Sequence, residues 1–272
     1  MVELEYVRRR KRKKIAVIVA AAATGGLAVL ILVAFLGRFV GTFTVSLNTG
    51  DVKLTLSKNA SFSDPTSYLK IDELPPFDLA KFSDLPDAEF IDSEETGWDY
   101  GTVTSSSGDS VMYFFKETFY VRNEGQVTAH YDLSVNITKN TPSADGRYLD
   151  TILRVMVYEN PADSQEHAYT VYARKSEVPN LTDDPENPYT YKEYLSVPYD
   201  SHDPSSKAVF AEMFESDSVV TTLSTPRFES GDAKRYTIIT WLEGYDQQAK
   251  GNPPEGGNIK LGVTINAYEN NE

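Results

Sequence analysis

The side chains of this chain that could do chemistry are carboxylates and aromatics, and almost nothing else. Three histidines, His130, His167 and His202, stand far apart and outside any H-E-x-x-H spacing, so no zinc hydrolase is announced. There is no cysteine, which removes a thiol nucleophile, thiolate metal sites and a lipid-modified cysteine at once. Neither a G-x-S-x-G elbow nor a Walker loop nor a dinucleotide fingerprint occurs. Carboxylates are so numerous, 40 in 272 residues, that some pair must fall within the about 5–10 Å that glycoside hydrolysis needs. Such pairs therefore do not argue for a hydrolase. Glu243 and Asp246 beside Trp241 and Tyr245 form the best local candidate for a carbohydrate-facing cluster. The competing reading makes Trp241 a core residue and Glu243 to Asp246 a strand-end turn. Trp98 and Tyr100 are further candidate ligand-binding aromatics. Calcium is the most plausible ion, because acidic loops offer it hard oxygen ligands; Asp183, Asp184 and Glu186 are the candidates, although the spaced D-x-[DN]-x-[DN]-G loop is missing. No other cofactor is expected.

Charge is distributed unevenly. The first 38 residues hold 8 of the 26 basic and 2 of the 40 acidic side chains, leaving 18 against 38, a net of −20, in residues 39–272. A surface this acidic repels phosphate backbones, so nucleic acid is not an expected partner.

The elements that would carry these side chains read as strands. Phe39, Gly41, Phe43, Val45 and Leu47 alternate with polar or small residues, Asn48 to Asp51 supply turn chemistry, and Val52, Leu54 and Leu56 repeat the pattern, predicting a hairpin. Residues 58–108 read as an irregular acidic insertion with at most short strands. Val111 to Val121 is aromatic and β-branched on both faces, as suits the inside of a sheet sandwich, and with Tyr131 to Ile137 it predicts a second hairpin about Asn123-Glu124-Gly125. Ile152 to Tyr158 and Tyr169 to Ala173 predict a third. Residues 176–206 read as a long loop, with one or two helical turns between Tyr189 and Leu195. Val219 to Leu223, Arg235 to Leu242 and Ile259 to Ile265 complete the set; in the second, Tyr236, Ile238 and Thr240 face one way and Ile239 and Trp241 the other. The expected fold is all-β, an antiparallel β-sandwich of jelly-roll or Greek-key type.

Ahead of it stands a different kind of segment. Arg8 to Lys14 is an unbroken basic run, a cytoplasmic segment spanning 1–14, and residues 15–37 follow without a charge. A helix of that length reaches roughly 35 Å, enough to cross a hydrocarbon core of about 30 Å. The positive flank stays inside, so the expectation is a single-pass cell-membrane protein with a cytoplasmic N-terminus and an extracellular domain at 38–272. A cleavable signal is the competing reading, but Gly37-Arg38-Phe39 is a poor cleavage site. A domain of this size can bury about 70% of its unfolded surface and so needs no disulfides.

Three stretches together resemble a known family: the basic run with its apolar helix, the segment Thr44 to Leu54, and Phe119-Tyr120-Val121-Arg122-Asn123-Glu124-Gly125. They are similar to the TasA/camelysin-type exported surface and biofilm-matrix proteins of Gram-positive bacteria. The resemblance implies an extracellular jelly roll that often forms fibres by lending an N-terminal strand to the next subunit, with Phe39, Phe43, Val45 and Leu47 as strand-exchange candidates. The unbroken 23-residue span and absent clean cleavage site depart from that pattern. Metal-dependent proteolysis has been described for camelysin-type proteins, but no residue here maps onto a metal motif, so no catalytic role is carried over. The expected function is a non-enzymatic surface protein acting in adhesion, envelope organisation or matrix assembly. Its expected partners are the lipid bilayer and other copies, surface proteins or glycans. A carbohydrate-binding module and a secreted hydrolase are the alternatives.

Overall fold

The computed structural model describes residues 43–48, 52–71, 78–80, 85, 102–104, 110–159, 169–174, 211–244, 246, 249, 254 and 256–269. The chain divides into two units, Met1–Arg38 and Phe39–Glu272, and every described residue lies in the second. The expected membrane segment 15–37 lies outside the described residues, among which no helix is long and apolar enough to cross a membrane. The described residues form fourteen strands and one 3-10 turn, Leu149–Thr151.

Two sheets carry the domain. The five-stranded sheet runs β12 (Val219–Phe228), β8 (Ala129–Thr141), β14 (Asn258–Glu269), β1 (Phe43–Asn48), β3 (Tyr68–Ile71). The seven-stranded sheet runs β11 (Glu212–Met213), β10 (Tyr169–Ala173), β9 (Leu153–Glu159), β13 (Ala233–Glu243), β7 (Phe114–Asn123), β2 (Leu54–Ser57), with β4 (Leu79–Ala80) beside the end of β13. A separate pair joins β5 (Thr102–Thr104) to β6 (Ser110–Met112).

Apolar rows from both sheets meet in one core. Val45, Tyr131, Leu133, Val135, Val263 and Ile265 come from the first sheet, and Leu56, Phe119, Val155, Tyr236 and Ile238 from the second. Two tyrosines join the layers: the Tyr131 and Tyr236 hydroxyls lie 2.8 Å apart, Tyr131 sets its ring edge-on to Phe228, and Tyr236 stacks on Phe119. Burial raises the pKa of both phenols, so the pair stays neutral and each hydroxyl keeps its proton. The sheets differ on their far sides. β8 alternates buried and half-exposed residues, as a strand with one wet face must, whereas β7, β9 and β13 are buried on both. Ala80, Phe114, Met156, Tyr158, Val171, Ile239 and Trp241 form a second apolar cluster on the outer side of the seven-stranded sheet.

The all-β expectation agrees with the structure, but purely antiparallel sheets do not. β1 runs parallel to β14, β10 to β11 and β4 to β13. Alternation decides which face a strand buries and is silent about the direction of its neighbour. For the same reason two predicted hairpins are corrected. β1 and β2 lie in opposite sheets, as do β7 and β8, so each turn carries the chain across the core instead of back along one sheet. The expected strand from Val111 is also broken at Tyr113, its first part pairing with β5. The hairpin of β9 with β10 holds, as does the two-faced reading of β13. One buried side chain ties two crossings together. Asn123 Nδ2 donates to the carbonyls of Val127 (2.8 Å) and Phe228 (2.9 Å), and its Oδ1 accepts from the Gly125 N–H at 2.9 Å. The neighbouring turn bends at Gly231, whose φ of +89° is a left-handed geometry that glycine adopts without steric cost.

Candidate functional site

The strand-exchange candidates fall on β1, whose range begins at Phe43, so Phe39 lies outside the described residues. β1 is an inner strand of its own sheet. Six consecutive residues, Phe43 to Asn48, register with Leu261 to Asn266 of β14, and Phe43 to Ser46 register with Ile71 to Tyr68 of β3. Val45 is fully buried in the core. Phe43 and Leu47 stand two positions to either side of it on β1, in register with Leu261 and Ile265. With β1 in place, the edges of this sheet are β12 and β3.

The outer face of this sheet is assembled from short polar side chains. One row runs Thr222, Ser134, Thr264, Ser46, Tyr68, and a second runs Ser224, Asp132, Asn266. The hydroxyls of Ser134 and Thr222 are 3.3 Å apart, and Asn136 Nδ2 donates to the Ser134 carbonyl at 3.0 Å and to Thr264 Oγ1 at 3.4 Å. Thr222 gives its backbone N–H and its hydroxyl to Glu215 at the β12 edge. At one end Asp132 contacts His130 Nε2 at 3.3 Å, and the His130 ring stands edge-on to Tyr268 with centroids 6.0 Å apart. His130 is a half-exposed member of this face.

The opposite sheet holds the ionic groups that might suggest an active site, and it encloses them. Trp241, the candidate ligand-binding aromatic, is fully buried, and its indole N–H donates to Glu243 Oε2 at 2.9 Å. It offers no ring face to a sugar, which corrects its role as a ligand-binding aromatic; the competing reading, a core Trp241 with a strand-end turn after it, agrees with the structure. Asp246 is equally buried and accepts from Arg154 Nη2 at 2.7 Å. Of the local cluster read as carbohydrate-facing, Trp241, Glu243 and Asp246 are therefore internal, and Tyr245 lies outside the described residues. β13 explains it: Trp241 and Glu243 point away from the core shared by the two sheets, into the second cluster. Trp98 and Tyr100, the calcium candidates Asp183, Asp184 and Glu186, and His167 and His202 lie outside the described residues. Among the described residues no group of three or more histidine, aspartate or glutamate side chains is placed to hold a metal ion.

Sequence reasoning missed two buried acids, Asp150, which pairs with Arg174, and Glu117. Glu117 sits on β7 between Phe115 and Phe119, opposite Ile238, with those three neighbours in the shared core. It is almost wholly buried, and its Oε1 has no hydrogen-bond partner. Burial pushes its carboxyl up to about 7 against a smaller opposing pull from Lys58. A glutamate inside an aromatic run, on the phase of Phe115 and Phe119, was the available clue.

The first sheet thus offers an integral N-terminal strand and an open polar face, and the second offers a closed interior. No family model, no curated protein and no solved structure matches this chain.

Proposed function

We propose that this is a non-enzymatic cell-surface protein, tethered to the membrane by residues 15–37, whose β-sandwich acts in adhesion, envelope organisation or matrix assembly. We read the repeated crossings between sheets as jelly-roll topology, in keeping with the resemblance to TasA/camelysin-type proteins. The observation that carries the functional reading is β1. It is the first described strand after the basic and apolar segments and pairs on both sides, six residues deep with the parallel strand β14. β14 is the last described strand. Tension between the tether and the C-terminal end therefore pulls these two neighbours in opposite directions along their axes. All their registered hydrogen bonds then share the load instead of opening one by one. That arrangement suits a domain that transmits force. Withdrawn from its place, β1 would leave β14 and β3 as unpaired edges able to accept a strand from another copy.

The test is attachment in the host. Deleting the gene should weaken cell-to-cell or cell-to-matrix attachment, wild-type protein should restore it, and Ser46→Pro, which breaks the β1 ladder, should not. Attachment that is unchanged by deletion refutes the reading.

A further inference from the structure

We propose that the outer face of the five-stranded sheet binds a neutral, hydroxyl-rich polysaccharide chain. This rests on the surface-protein reading and supplies its partner. Three observations carry it. First, this is the one broad sheet face among the described residues that is open, since the far side of the other sheet is buried. Second, its central rows are hydroxyls and amides: Thr222, Ser134, Thr264 and Ser46, with Asn136 and Asn266 beside them. Among the described side chains, charge on this face is Asp132, in the row beside the central one, with His130 at that end, Lys139 opposite Lys260 at the other end, and Glu215 at the β12 edge, while Lys70 registers with Thr44 on the edge strand β3. In a domain of net −20 such a centre is selective.

Among the described side chains, its central rows hold no cation cluster of the kind that phosphate backbones or anionic lipid heads require. It also lacks the apolar centre on which a stable second copy would pack. Sugar hydroxyls, which donate and accept, match it. Third, two aromatic rings flank the rows, Tyr68 at 50% and Tyr268 at 55% exposure. Tyr268 is braced by His130, and Tyr68 lies in the row of Ser46 and Thr264. Tyr268 is four residues along β14 from that row and two strands across from Tyr68, a separation of about 16 Å at ~3.3 Å per residue and ~4.8 Å per strand. A short oligosaccharide would span that interval, with a ring stacked on each tyrosine and its hydroxyls against the row between.

The experiment is native affinity electrophoresis of the full chain, in a detergent without a sugar head, through gels containing hydroxyethyl cellulose, dextran, galactomannan or alginate. Retardation is expected in at least one of the three neutral gels. The double variant Tyr68→Ala/Tyr268→Ala, both sites being exposed, should keep its thermal midpoint and lose affinity by about tenfold. No retardation in any neutral gel overturns the proposal, as does retardation that the double variant leaves unchanged. Retardation in alginate alone, abolished by Lys139→Gln/Lys260→Gln, overturns it in favour of an anionic ligand. Failure here leaves the surface location standing. Cell fractionation that places the domain in the cytosol would remove the surface reading whatever the gels show.

Discussion

Glu117 should make the domain less stable as pH rises through neutrality. Its carboxyl titrates near 7 in the folded chain against an ordinary 4.5, chiefly because burial among Phe115, Phe119 and Ile238 disfavours the charged form. A carboxyl whose folded pKa is raised holds its proton more tightly in the native state. The stability it permits is therefore complete below about 4.5, declines between 4.5 and about 7, and is lost above that. At 1.36 kcal/mol per pH unit the gap amounts to about 3 kcal/mol. For a domain of this length that corresponds to roughly 6–12 °C in thermal midpoint. Glu117→Gln removes the titration while keeping the shape, and Glu117→Leu also removes the unpartnered oxygen. Denaturant midpoints of the three proteins at pH 4, 5, 6, 7 and 8 provide the assay. The variants should gain on wild type steadily with pH, by about 3 kcal/mol between pH 4 and pH 8. A difference that does not change with pH, or that favours wild type at pH 8, refutes the reasoning.

Asn123→Ala should cost about 3 kcal/mol, since it removes two donors to the Val127 and Phe228 carbonyls and the acceptor for the Gly125 N–H; chemical denaturation checks it. Arg154→Met takes the guanidinium from buried Asp246 and should cost about 3–5 kcal/mol, while the joint change with Asp246→Leu should recover a large part, as a double-mutant cycle would read. Ser46→Pro should lower stability by about 3 kcal/mol or more and expose the first strand to protease, because β1 pairs on both sides. Limited proteolysis with terminal sequencing measures that exposure.

The sequence was most informative where one strand had one wet face. β8 and β14 were legible from alternation alone, and so was the division of β13 into Tyr236 with Ile238 on one side and Ile239 with Trp241 on the other. Partnership was not legible. Turns such as Asn48 to Asp51 serve equally to reverse a strand within a sheet or to carry it across the core, and the residues that decide are the distant ones it meets. Val45 finds Val263 more than two hundred residues away, and no local pattern encodes that. Trp241 misled because a large aromatic beside two carboxylates resembles a sugar platform, whereas here the carboxylates are internal: Glu243 holds the indole and Asp246 holds Arg154. The polar face escaped notice because its Ser, Thr and Asn residues are scattered over β1, β8, β12 and β14 and become a surface only through register.

The proposal as a whole is a force-bearing sandwich held outside the cell by an uncleaved segment. Brief protease treatment of intact host cells, followed by mass spectrometry of what remains in the membrane and what is released, tests it most directly. The sandwich should be shed from the surface while a fragment beginning at the original N-terminus stays with the membrane. A mature chain starting beyond Gly37 in the medium, or a domain that resists protease until the cells are broken, would contradict it.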